Sequence, residues 1–258
     1  MHRARRWIAL PLATLLATTL GLAAGSVPAG AGASVNCHGP SGPSTPDQQL
    51  GVYVCNLYVG ILQRTSRPSD SEISFWVNQI KTTSRVQVVR AFERSDEDFR
   101  HLLTGDYLDY LGRSPDAGGL QHWVDVLRQG YPLEFVDAAI LASPEGVQAQ
   151  GGTNADLVDA LYDFFLDRVP SDQEVNFWVG QITSNGNDFK ARARVVLQIE
   201  LSQEGRNLTA DTLYSYWLHR GADAGGRSFW ADRIGKQGIL TVETDFVAQD
   251  EVFTIQSS

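Results

Sequence analysis

The run Tyr107-Leu108-Asp109-Tyr110-Leu111-Gly112-Arg113-Ser114-Pro115-Asp116-Ala117-Gly118-Gly119-Leu120-Gln121-His122-Trp123 decides how this chain is read, because its framework occurs four times. Tryptophans stand at Trp76, Trp123, Trp178 and Trp230, with gaps of 47, 55 and 52 residues. An arginine precedes each one (Arg64, Arg113, Arg168, Arg220), and a tyrosine lies six residues before every arginine (Tyr58, Tyr107, Tyr162, Tyr214). A small capping residue, Ser69, Asp116, Ser171 or Asp223, falls seven residues before each tryptophan. Only the first copy departs, with two extra residues between Arg64 and Ser69.

The register has a physical reading. Ser and Asp side chains accept hydrogen bonds from the free N–H groups that open a helix. Ser69 with Glu72, and Ser171 with Glu174, form the Ser-x-x-Glu capping box, whereas Asp116 and Asp223 lead into Ala-Gly-Gly. The tryptophan, seven positions on, returns to the same helix face after two turns. Pro68, Pro115 and Pro170 each end the preceding element. Upstream, Tyr107 to Arg113 and Tyr162 to Arg168 read as helix ends, with the arginine placed where unpaired carbonyls favour a cation.

Downstream of each tryptophan lies another amphipathic stretch: Val86–Phe92, Leu133–Leu141, Ala191–Leu201 and Val242–Val247. Three of them lead to Ser-x-Glu (Ser95 to Glu97, Ser143 to Glu145, Ser202 to Glu204) and the fourth to Gln249-Asp250-Glu251, each a further helix start. No run of alternating β-branched residues bounded by hairpin turns is present, so strands are not expected. The expected architecture is all-α: four tandem repeats of about three short helices each, packed together as a compact helical array. The boundaries drawn are a signal peptide at 1–33, a Gly/Pro/Ser-rich leader at 34–49, and repeats at 50–100, 101–152, 153–206 and 207–258.

The framework Tyr-x-x-x-Leu-Gly-Arg-x-Pro-Asp-x-x-Gly-Leu-x-x-Trp, as it stands at Tyr107 to Trp123, resembles a helical repeat of unknown function found in secreted and surface bacterial proteins. It is similar, more distantly, to the helical linker domain of cyanobacterial light-harvesting antennae, which joins other proteins without catalysis. The resemblance covers residues 50–258, strongest in the second copy; the third has Val169-Pro170-Ser171 and the fourth Gly221-Ala222-Asp223 without a proline. It implies an extracytoplasmic scaffold or binding role and carries over no catalytic residue.

The start of the chain predicts export. Arg3, Arg5 and Arg6 precede an apolar stretch from Trp7 to Ala24, and Ala31-Gly32-Ala33 offers a cleavage site after Ala33. The alternative is an uncleaved anchor, since the apolar stretch approaches spanning length. Cleavage removes those three arginines and takes the net charge from −9 to −12. Such a surface repels phosphate backbones and anionic lipid, so neither nucleic acid nor stable membrane insertion is expected. Export also places Cys37 and Cys55 in an oxidising compartment, where a pair this close forms a disulfide worth about 3 kcal/mol; two free thiols are the alternative.

Candidate chemistry is sparse. The fourfold tyrosine, arginine, cap and tryptophan could stack on sugar rings, but a repeat needs its core in every copy, which favours a structural role. Acidic clusters at Glu93, Asp96, Glu97 and Asp98, and at Asp245, Asp250 and Glu251, read as solvated faces or as the paired carboxylates of a wall hydrolase. His38, His101, His122 and His219 lack metal-ligand spacing, so no metal and no cofactor are expected. Asp-Ala-Gly-Gly at 116–119 and 223–226 is explained as a cap rather than a calcium ligand. No nucleophile elbow, phosphate loop or Cys-x-x-Cys is present. The reading is a secreted, non-enzymatic binding or scaffolding module, engaging a cell-surface protein or polysaccharide. A small cell-wall-active hydrolase using paired carboxylates is the alternative.

Overall fold

Helix starts in this chain are set by side-chain caps. Thr45, Ser69, Ser84, Ser95, Asp116, Ser143, Thr153, Ser171, Asp188, Ser202 and Asp223 each accept a backbone N–H from the first turn of the helix they open. Each such cap contributes about 1 kcal/mol. The computed structural model describes Cys37 and residues 45–257. The expected signal segment 1–33, His38 and the leader other than Cys37 and 45–49 lie outside the described residues.

Among the described residues there are fourteen helices and no strand, so the all-α reading holds. The first seven are α1 (Pro46–Gly60), α2 (Asp70–Thr82), α3 (Arg85–Glu93), α4 (Asp96–Leu111), α5 (Ala117–Arg128), α6 (Leu133–Leu141) and α7 (Pro144–Ala149). The next seven are α8 (Asn154–Leu166), α9 (Asp172–Ser184), α10 (Phe189–Glu200), α11 (Gln203–Leu218), α12 (Ala224–Gln237), α13 (Ile239–Val247) and α14 (Asp250–Gln256). None is long and apolar enough to cross a membrane.

Most packing contacts of the first seven helices recur in the second seven. As α1 packs on α2 and α4 on α5, so α8 packs on α9 and α11 on α12. The α4–α7 contact has its counterpart in α11–α14, and α7–α8 in α14–α1, so the last helix returns to the first. Between the halves, α6 packs on α10 and α13 on α3. Individual bonds match too: Gln150 Nε2 donates to the Tyr110 carbonyl at 2.6 Å, and Gln256 Nε2 to the Trp217 carbonyl at 2.9 Å. One apolar core runs through both halves, from Val54 and Leu57 in α1 to Val247 and Val252 near the C-terminal end.

Two boundaries expected from the sequence, 100/101 and 206/207, fall inside continuous helices, α4 and α11. The Ser-x-Glu start and the tyrosine-bearing end are therefore opposite ends of one 16-residue helix in those places. Between α7 and α8 the same path is broken by Gly151 and Gly152, both at positive φ (124° and 93°), a backbone region that favours glycine. At the amino end, Cys37 is bonded to Cys55 in α1.

Candidate functional site

The four sequence stations are built alike. The residue before each arginine (Gln63, Gly112, Asp167, His219) is left-handed, with φ between 49° and 66°, and this turns the chain sharply after the tyrosine helix. The turn brings each guanidinium over its tyrosine ring, at 4.6, 5.3, 4.7 and 4.7 Å for Arg64, Arg113, Arg168 and Arg220. Contrary to the expectation that it would serve the carbonyls of its own helix end, each arginine reaches forward to the first turn of a later helix. Arg64 pairs with Glu97 at 2.7 Å, Arg113 with Glu145, Arg168 with Glu204 at 2.6 Å and Arg220 with Glu251 at 2.7 Å. Those glutamates belong to the Ser-x-Glu starts and the Gln249-Asp250-Glu251 start.

The stations alternate in detail. Arg64 and Arg168 also bond Glu72 and Glu174, the third residues of the capping boxes, at 3.0 and 2.7 Å. Arg113 and Arg220 instead donate to the carbonyls of Ser114 and Gly221. Glycine occupies the capping-box glutamate's position there, and a Cβ on Gly119 or Gly226 would press on the hydroxyl of Tyr107 or Tyr214. The Ala-Gly-Gly start thus admits a tyrosine hydroxyl beside the helix end.

Charge at the stations is held tightly. Hydrogen bonds from the Ser69 hydroxyl and N–H, then from Arg64, lower the Glu72 carboxyl to about 2. Arg168 first, then the N–H and hydroxyl of Ser171, do the same for Glu174, again to about 2. Arg64 lowers Glu97, and Arg113 lowers Glu145. The N–H of Gly119 leads the lowering at Asp116, and that of Gly226 at Asp223. Burial raises the hydroxyls of Tyr58 and Tyr162.

The tryptophans close each station. Nε1 of Trp76, Trp123 and Trp178 donates to the hydroxyl of Tyr58, Tyr107 and Tyr162 at 2.9, 3.0 and 2.9 Å. Trp230 and Tyr214 instead share the ring of Phe246, each 5.1 Å from it. Trp230 is buried; the other three indoles are half-buried at the core's edge. All four stations are knit into the packing.

What faces outward is the residue before each tryptophan, which the sequence reading passed over. Phe75, Phe177 and Phe229 are 53, 56 and 54 % exposed, and the second station has the exposed His122 there. Each ring lies edge-on to its tryptophan, with centroids 4.8 to 5.0 Å apart. Around Phe75 the positions one turn or two away are Ser71, Asn78, Gln79 and Thr82; around Phe177 they are Gln173, Gly180, Gln181 and Ser184. The remaining i−3 neighbours, Glu72 and Glu174, are held by Arg64 and Arg168, so the C-terminal side of each ring is the uncharged one. At Phe229 the neighbour is Arg233, whose guanidinium lies 5.7 Å from the ring.

The acidic clusters are dispersed into pairings. Asp96 binds Arg128, Asp250 binds Arg85, Asp245 binds Arg233, Glu97 and Glu251 serve the stations, and Glu93 accepts from Thr244. Asp98 is buried at the start of α4. Among the described residues, no three His, Cys, Asp or Glu side chains gather as a metal site would require.

Fold and geometry together define an all-α protein of capped helices with aromatic–arginine stations and outward-facing phenyl rings. Residues 137–209, from α6 into α11, match a family described as Domain of unknown function (DUF4214). No curated protein and no solved structure matches the chain.

Proposed function

We propose that this chain is an exported, non-enzymatic module of four copies of one helical unit that binds or scaffolds at the bacterial cell surface. The observation that carries this reading is the set of phenyl rings at Phe75, Phe177 and Phe229, each more than half exposed at the same place relative to its tryptophan. Repetition in the core is explained by packing, whereas an exposed ring forgoes most of the gain of burial, so packing does not account for its recurrence at one register position. Phenyl with neutral amides and hydroxyls on its C-terminal side, and an arginine-paired glutamate one turn before it, suits an uncharged polysaccharide, whose rings stack while its hydroxyls hydrogen-bond. The acidic remainder of the surface disfavours polyanions.

The test is co-sedimentation of residues 34–258 with purified cell walls, with the supernatant assayed for released sugar or peptide. Pelleting without release is expected. Released fragments would overturn the reading in favour of a hydrolase, and protein that neither pellets nor releases anything would remove the polysaccharide partner.

A further inference from the structure

The principal contacts between the two seven-helix halves are reciprocal. Counting seven helices on, α3 and α6 correspond to α10 and α13; α6 packs on α10, and α13 packs on α3. Likewise α7 meets α8 and α14 meets α1, while α6 and α13 meet each other. Contacts that survive exchange of the two partners define an isologous interface, so the halves are related by an approximate twofold rotation. That rotation carries α2 onto α9. Both are outer helices: α2 packs on α1 and α3, α9 packs on α8 and α10, and a packing route between them runs through α3, α13, α6 and α10.

The stations on these two helices are one surface made twice. Phe75 and Phe177 are 53 and 56 % exposed, each edge-on to its tryptophan. One turn on stand Gln79 and Gln181, and two turns on Thr82 and Ser184. The other stations differ there. In α5 and its C-terminal cap the places are taken by His122, Val126 and Gln129. In α12 Phe229 is followed by Arg233 and Lys236, which pair with Asp245 and Asp232.

Granted the surface binding proposed above, on which this rests, we infer that Phe75 and Phe177 head two equivalent saccharide sites and that the module bridges two polysaccharide chains. One straight chain cannot serve both sites. A twofold rotation returns a line to itself only where the line is the axis or crosses it at a right angle, and a crossing line comes back reversed. A polysaccharide has a reducing and a non-reducing end, so a chain correctly bound at one ring would run the wrong way at the other. A chain along the axis would have to pass through the packed interface of the halves rather than over the outer helices. Two chains, each stacked in the same pose on its own ring, satisfy both sites.

The experiment adds residues 34–258 to sonicated, purified cell-wall fragments and follows light scattering beside pelleting. Wild type should pellet with the fragments and cluster them. Clustering should pass through a maximum and fall in excess protein, as each chain meets its own copy of the module. Phe75→Ser and Phe177→Ser should each still pellet, at a half-saturating concentration raised at least about tenfold, and neither should cluster fragments. Either variant alone keeps the test decisive if the other does not fold. Phe189→Ser removes a 46 % exposed ring outside the stations and should pellet and cluster like wild type. Loss of clustering there would mark general apolar adhesion and overturn the inference. Wild type that pellets without clustering would overturn it and leave surface binding standing. A Phe75→Ser or Phe177→Ser variant that clusters like wild type would overturn it too, since one site would then suffice. Wild type that does not pellet at all would remove the surface-binding reading and the bridging with it.

Discussion

At the scale of single residues, the arginines are the part of the framework whose role changed most between sequence and structure. The Tyr–Arg–cap–Trp register could be read directly, because its members lie within one turn-and-helix of each other. The glutamate that each arginine binds lies 31 to 36 residues further on, across an intervening helix pair. Its signal was in the chain, as the Ser-x-Glu starts at a nearly constant distance, but a helix-start motif does not by itself disclose a distant partner. The unequal wiring gives a prediction. Arg64→Ala removes two ion pairs and a cation–π contact and should cost about 1 kcal/mol in urea denaturation. Arg113→Ala, with one carboxylate to lose, should lower the midpoint less. A second prediction concerns acid. Glu72 and Glu174 titrate near 2 in the folded protein against an ordinary 4.5, so on acidification the unfolded chain takes up protons first. Their contribution is whole above about pH 5 and is lost as pH falls from 4.5 towards 2. Melting temperature should therefore be flat from pH 7 to 5 and drop below it. Replacing both by glutamine should flatten that acid limb.

At the scale of elements, the helix starts at Ser69, Ser95, Asp116, Ser143, Ser171, Ser202 and Asp223 were legible because capping is local, whereas those at Thr45, Ser84, Thr153 and Asp188 were not read. Helix continuity was missed as well. Ser95 and Ser202 open helices that run on through the tyrosines, while Gly151 and Gly152 interrupt the equivalent path. The spacing carried the signal, 12 residues from serine to tyrosine in the continuous helices against 19 from Ser143 to Tyr162, but was not read. Close approach between elements was hidden. Gly60, the last residue of α1, faces the indole of Trp217 in α11, and a Cβ there would stand 2.5 Å from the ring's Cη2. Trp217 is fully buried and cannot swing into solvent. Gly60→Ala should therefore destabilise by about 1–3 kcal/mol through overpacking, despite alanine's better helix propensity. Chemical denaturation measures it, and a gain in stability would show that Trp217 shifts freely.

At the scale of the whole molecule, the sequence indicated four similar stretches, whereas the packing pairs them into two seven-helix halves. The alternation was partly visible, since Ser-x-x-Glu caps fall in the first and third stretches and Asp-Ala-Gly-Gly in the second and fourth. What hid the pairing is that it depends on which helices meet between the halves, α6 with α10 and α13 with α3, and tertiary contacts leave no local mark. The outward phenyl rings were overlooked for a related reason: beside a tryptophan, a phenylalanine reads as more core. In this account the tryptophans hold the fold and the phenyl rings face a ligand. The most direct test is one triple variant, Phe75→Ser/Phe177→Ser/Phe229→Ser, compared with Trp230→Ala in urea denaturation and in cell-wall pelleting. The triple variant should keep its unfolding midpoint and lose pelleting, while Trp230→Ala, which empties a buried site, should lose about 3–5 kcal/mol of stability. A triple variant that unfolds as readily as Trp230→Ala, or that still pellets with walls at wild-type level, would contradict that division of labour.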